Sequence, residues 1–274
     1  MRLALALCLL TACSGEKSKT AEQVQPPNAP NGTTKKTLAP LADLAVQKKD
    51  SPIPADTRQL LLATVSGWDE VKAELRRFER TPDGWKQVGE PWPAVIGISG
   101  AAWGRGLHGD GAPGGQDGPV KVEGDGRSPA GVFALGGSFG YDKAPPPGAR
   151  LPYTRVDKDW LCIDDGKSSH YNQVLDTSGL KIDWDSFEEM RRKDELYRRV
   201  IVVDHNPEPE PGAGSCIFLH LWHGPGGGGT SGCTAMPPEP MEALLGWLDP
   251  AARPVYVLLP AAQATALRSA WALP

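Results

Sequence analysis

The chain has 274 residues, of which 40% are hydrophobic and 23% charged, with 32 glycines, 27 prolines and a formal net charge of -4. This composition excludes fibrous, collagen-like and coiled-coil architectures and leaves room for one large or two small domains. No Lys/Arg run exceeds a pair outside residues 191–193, and no basic stripe is present, so no nucleic-acid partner is expected.

In chain order, Met1 and Arg2 precede an apolar run over 3–10. The run is too short to span a bilayer as a mature helix and reads as a secretory signal. It ends in Leu10-Thr11-Ala12-Cys13, which resembles a bacterial lipobox. Residues 1–12 are therefore expected as a lipoprotein signal peptide and Cys13 as the lipidated residue that ties the chain to a membrane; a plain signal peptide with Cys13 incidental is the alternative. Ser14, not Asp, follows the cysteine, which leans towards outer-membrane sorting and an exported protein on the periplasmic face. Residues 13–55 are expected as a flexible linker, because from Ser14 to Ala55 there are six prolines and no aromatic, too little apolar surface to offset ordering entropy.

Residues 56–274 are expected to form one catalytic-size domain, with order beginning near Arg58. The runs 59–65 and 71–78 read as two strands joined by Ser66-Gly67-Trp68-Asp69, the second alternating apolar and charged as a half-solvated sheet does. Further strand-like runs are 94–98, 131–135, 199–204, 216–222 and 254–259, separated by Gly/Pro-rich connections. Helices are expected over 186–198, where Phe187, Met190 and Leu196 lie among charges, and over 240–248 and 261–271. The fold class is mixed and β-rich.

Five cysteines are present. Cys8 leaves with the signal and lipid consumes Cys13, so Cys162, Cys216 and Cys233 remain. In an oxidising compartment the simplest arithmetic is one disulfide, Cys162 with Cys216, and one functional thiol, with three free thiols as the alternative. Cys233 is the candidate nucleophile because it follows Thr230-Ser231-Gly232, where glycine lets the backbone turn sharply and expose amides to a substrate oxygen. A cysteine nucleophile needs a base, and His220 ends the strand-like Ile217-Phe218-Leu219-His220, thirteen residues before Cys233. A zinc site from His205, His220, His223 and Cys233 is the competing reading. Its spacing matches no common zinc pattern, and no metal or other cofactor is expected.

With these residues in hand, the chain resembles the L,D-transpeptidase catalytic domain, the YkuD-like family that acts on peptidoglycan stem peptides. The resemblance rests on Gly124-Asp125-Gly126-Arg127-Ser128-Pro129 before a strand, and on His220 followed by Thr230-Ser231-Gly232-Cys233. Ser231 stands where the family usually has a second histidine, and the interval from His220 is a little short. The resemblance implies a β-sandwich with short peripheral helices and a thioacyl enzyme formed by Cys233 with His220 as base. Backbone amides around Ser231, Gly232 and Cys233 would hold the oxyanion. Transfer to an amine makes an L,D-transpeptidase; hydrolysis of the same bond would make an L,D-carboxypeptidase, and loss of turnover a peptidoglycan-binding lipoprotein. Arg127, Trp222 and His223 are weaker candidates for substrate contact, and for Arg127 a turn role beside Asp125 is the simpler expectation.

Overall fold

A computed structural model describes residues 51–225 and 227–274. The expected signal peptide, Cys13 and most of the expected linker lie outside these residues. Ile53 is fully buried, and the Ser51 hydroxyl donates to the Trp271 carbonyl, so packing reaches back past Arg58.

The strands are β1 Gln59–Val65, β2 Lys72–Thr81, β3 Gly84–Val95, β4 Ala101–Trp103, β5 Arg105–Gly106, β6 Gly109–Asp110, β7 Ser128–Gly140 and β8 Tyr153–Arg155. They continue with β9 Trp160–Ile163, β10 Val174–Asp176, β11 Phe187–Glu189, β12 Arg199–Val203, β13 Phe218–Leu221, β14 Thr234–Met236 and β15 Val255–Pro260. Two short helices, α1 Pro238–Trp247 and α2 Ala261–Leu267, follow β14 and β15. The architecture is β-rich and mixed.

The large sheet runs β12-β13-β14-β3-β2-β1-β15-β7-β4, and an additional β12–β7 pairing joins its two sides. That pairing leaves neither β12 nor β7 with a bare edge. β1 is a near-continuous apolar run because it is central, parallel to β15 and antiparallel to β2. β2 alternates, with Ala73 and Leu75 buried, and then buries Phe78. The change of parity falls at a register shift between Leu75 and Arg77, where β3 has two more residues than β2 between the paired positions. α1 buries Met241, Leu244 and Leu245 on one stripe, begins at a proline whose missing N–H costs nothing there, and ends at extended Leu248.

A separate three-stranded sheet, β10-β9-β11, is joined to the large one by a Cys162–Cys216 disulfide with an S–S distance of 2.05 Å. It corrects the helix expected over 186–198. β11 pairs with β9, placing Glu188 opposite Cys162, and only a 3-10 turn at Leu196–Arg198 remains helical. Tertiary partners override the 3.6-residue period: Arg191 lies over the Tyr141 ring, Arg192 pairs with Asp194, and Arg198 with Asp142.

Candidate active site

β13 divides its side chains between two environments. Leu219 and Leu221 enter the main core, while Phe218 packs with Tyr197, Val200, Cys216 and Cys233 in a second cluster. Strand periodicity puts His220 on the Phe218 face. Its ring meets Tyr197 edge-on at 5.1 Å. β14 runs parallel to β13 with His220 opposite Ala235 and Leu219 opposite Thr234, so Cys233 enters at the head of β14 beside Phe218. The Phe218 amide donates to the Cys233 sulfur at 3.3 Å, and the thiol faces the Cys216 carbonyl at 3.5 Å.

The turn before Cys233 is clamped by hydroxyls. Thr230 Oγ1 donates to the Cys233 carbonyl at 2.6 Å and accepts from the Gly232 amide at 3.1 Å. Ser128 Oγ donates to the same carbonyl at 2.9 Å and accepts from the Gly97 amide. Gly232 has φ +156°, and a Cβ there would stand 3.1 Å from the Arg127 carbonyl oxygen, so the turn requires glycine. Of the three amides expected to hold an oxyanion, that of Gly232 is already committed within the turn, which leaves those of Ser231 and Cys233 for the role.

The electrostatics make the resting pair neutral. Burial lowers the His220 pKa to about 4, against a partly opposing hydrogen bond to Leu221. His220 Nδ1 lies 2.7 Å from the Leu221 carbonyl. A carbonyl only accepts, so Nδ1 carries the proton and Nε2 holds the free lone pair of a base. Burial, and next the Glu188 charge, push the Cys233 thiol far up; the Phe218 amide, Tyr197 and Lys121 pull the other way.

Cys233, His220, Trp222, His223, Thr230, Ser231 and Gly232 all line one cleft of about 810 Å³. Ser231 and His223 are exposed and Trp222 half-buried. Arg127 is not among the residues that line it and takes a turn role, the simpler of its two expected roles. Its guanidinium donates to the Trp68 and Ala101 carbonyls and pairs with Asp69 at 2.7 Å, while its amide caps Asp125. Asp125 also receives the buried Lys121 ammonium and the Val122 amide, so the Gly-Asp-Gly-Arg stretch organises its own loop. His205 sits apart in the core, its ring nitrogens engaged by the Arg105 amide and the Ala213 carbonyl.

The family described as YkuD, the L,D-transpeptidase catalytic domain, matches residues 83–257. The chain belongs to this family. No curated protein and no solved structure matches it. The matched span of the L,D-transpeptidase domain contains both cleft walls, from the loop at Lys121 to β14. Three residues beyond the expected ones stand around Cys233: Ser128 on its carbonyl, and Glu188 and Tyr197 on the cleft wall. Ser128 directly follows the Gly124-Asp125-Gly126-Arg127 stretch, whereas Glu188 and Tyr197 lie in a segment whose helical charge spacing gives no sign of a cleft wall.

Proposed function

We propose that this chain is a peptidoglycan L,D-transpeptidase in which Cys233 is the nucleophile and His220 its base. The Cys233 proton passes to His220 Nε2, the sulfur attacks a stem-peptide carbonyl, and the tetrahedral oxyanion is held by the Ser231 and Cys233 amides. Collapse expels a D-amino acid, which takes the proton from His220, and leaves a thioester. An amine of a second stem then attacks the thioester, and the released sulfur regains its proton. The observation that carries the reading is the convergence of the thiol and a base of fixed tautomer on one face of two parallel strands, in a cleft of about 810 Å³.

The neutral resting pair belongs to this reading. With the thiol raised and the imidazole lowered, transfer between them is uphill until a bound peptide supplies an electrophile, which guards the thiol when the cleft is empty. On the Leu10-Thr11-Ala12-Cys13 box, we further propose that the enzyme is exported and held at a membrane through lipid on Cys13.

The test is incubation of the protein, and of Cys233→Ala, with a purified disaccharide-tetrapeptide, with products separated by chromatography. A cross-linked dimer that Cys233→Ala does not form supports transfer. Loss of the terminal residue without dimer would replace transfer by hydrolysis, and unchanged substrate would refute the reading.

A further inference from the structure

β11 is an edge strand on the cleft. It ends the order β10-β9-β11, and Phe187, Glu188 and Glu189 line the cleft that holds Cys233 and His220. Hydrogen bonding along β9 fixes which way each backbone turns. The Ile163 amide donates to the Gln173 carbonyl at 3.0 Å, and the Ile163 carbonyl accepts from the Asn172 amide at 2.8 Å, so both Ile163 groups face the β10 side. The opposite phase faces β11, where the Trp160 carbonyl accepts from the Met190 amide at 3.0 Å. In an antiparallel ladder these phases alternate residue by residue. Phe187, opposite Ile163, and Glu189, opposite Leu161, therefore turn their N–H and C=O away from β9, and among the described residues no bond outside the ladder takes these groups up.

This open edge stands beside the base. The Glu188 side chain, on the middle residue of β11, accepts from the Tyr197 hydroxyl at 2.6 Å, and the Tyr197 ring meets the His220 ring at 5.1 Å. Phe187, at the start of the strand, is 46% exposed. A bare strand edge is a template for another extended chain. Here it borders the cleft into which, on the function proposed above, a peptide carbonyl is brought to Cys233.

We propose that β11 holds the donor peptide as an added strand, whose main chain exchanges hydrogen bonds with the amides and carbonyls of Phe187 and Glu189. These two positions lie about 6.8 Å apart along a strand, so a donor extended between them meets both. A ladder of this kind reads main chain. It demands an extended donor with free amides, and it tolerates changes in the donor's side chains. Phe187 and Glu189 are positioning residues that act through their backbones. The inference rests on the peptide chemistry proposed above.

The experiment is amide hydrogen exchange by NMR on the Cys233→Ala chain, with and without millimolar purified disaccharide-tetrapeptide. The Phe187 and Glu189 amides should slow about tenfold or more when the peptide is bound. Val174 and Asp176 turn outward on β10 by the same alternation, are not among the residues lining the cleft, and should keep their rates. A sheet merely stiffened slows both edges and overturns the added strand, as does a peptide that shifts other cleft resonances while Phe187 and Glu189 exchange unchanged. Edge amides already slow in the free protein, and faster on dilution, would assign the edge to a second copy of the chain instead. No shift anywhere also overturns the strand, and the product assay on the wild-type chain then shows whether the peptide is a substrate at all. In the active chain, Glu189→Pro removes an outward amide without touching a ladder bond, and should raise KM about fivefold with kcat little changed. Glu189→Ala removes the same side chain and keeps the amide, so an equal rise in KM there overturns the backbone contact. Should Glu189→Pro fail to fold, hydrogen exchange decides alone.

Discussion

Removing the Cys162–Cys216 disulfide should weaken both the fold and the placement of the proposed nucleophile, Cys233. The bridge closes a loop with a sequence separation of 54, and chain-entropy arithmetic for a loop of that size gives about 4 kcal/mol at 25 °C. For a domain of this length that corresponds to a fall in Tm of about 8 to 16 °C. The functional consequence follows from position. Cys216 has φ +55°, unusual for a residue with a Cβ, and is held by the bridge and by the Asn172 side chain on its amide. Its carbonyl and the Phe218 amide two residues on are the backbone groups facing the Cys233 sulfur. Through Cys162 the bridge also fixes β11, which carries Glu188. Cys162→Ala/Cys216→Ala should therefore lose kcat by tenfold or more, because displacement of a nucleophile by a fraction of an ångström is enough. The double variant is needed, since either single one leaves a thiol able to exchange with its neighbours. Calorimetry and single-turnover kinetics at a temperature where both proteins are folded provide the two readings. A Tm within 2 °C of wild type, or an unchanged kcat, would refute the argument.

Ser128→Ala leaves the Gly97 amide unpaired and takes one of two hydroxyls from the Cys233 carbonyl, at a cost of about 1–3 kcal/mol in thermal unfolding and a lower kcat with little change in KM. Gly232→Ala forces a side chain towards the Arg127 carbonyl at a positive φ, and should cost about 1–3 kcal/mol, measured by denaturant unfolding. His220 and His205 both have pKa values lowered to about 4, from an ordinary value near 6.5, by burial. Below 6.5 the unfolded chain binds protons that the folded one refuses, so their contribution is complete above pH 6.5 and is lost as pH falls towards 4. It amounts to roughly 3 kcal/mol each, and His220→Gln should flatten the fall of Tm over that window by about one proton's worth.

Much of the domain was legible from one dimension. β1 and β15 show as near-continuous apolar runs because a strand covered on both faces needs little else, and α1 shows as a stripe between prolines and an extended end. The candidate nucleophile and base could be picked out for a related reason: a glycine turn before a cysteine and a histidine closing an apolar strand are local features, written in adjacent residues. Segment 186–198 was not legible. Its charges at helical spacing fit a surface helix, and only pairing with β9, the Cys162–Cys216 bridge and the edge-on packing of Tyr197 against His220 make it a cleft wall. The sequence by itself determined the sheet's central strands and singled out the candidate thiol, since both depend on neighbours along the chain. What surrounds the thiol was decided by tertiary structure alone. Glu188, Tyr197 and Ser128 come from three separated elements, and burial and charge act through space, so no local pattern encodes them.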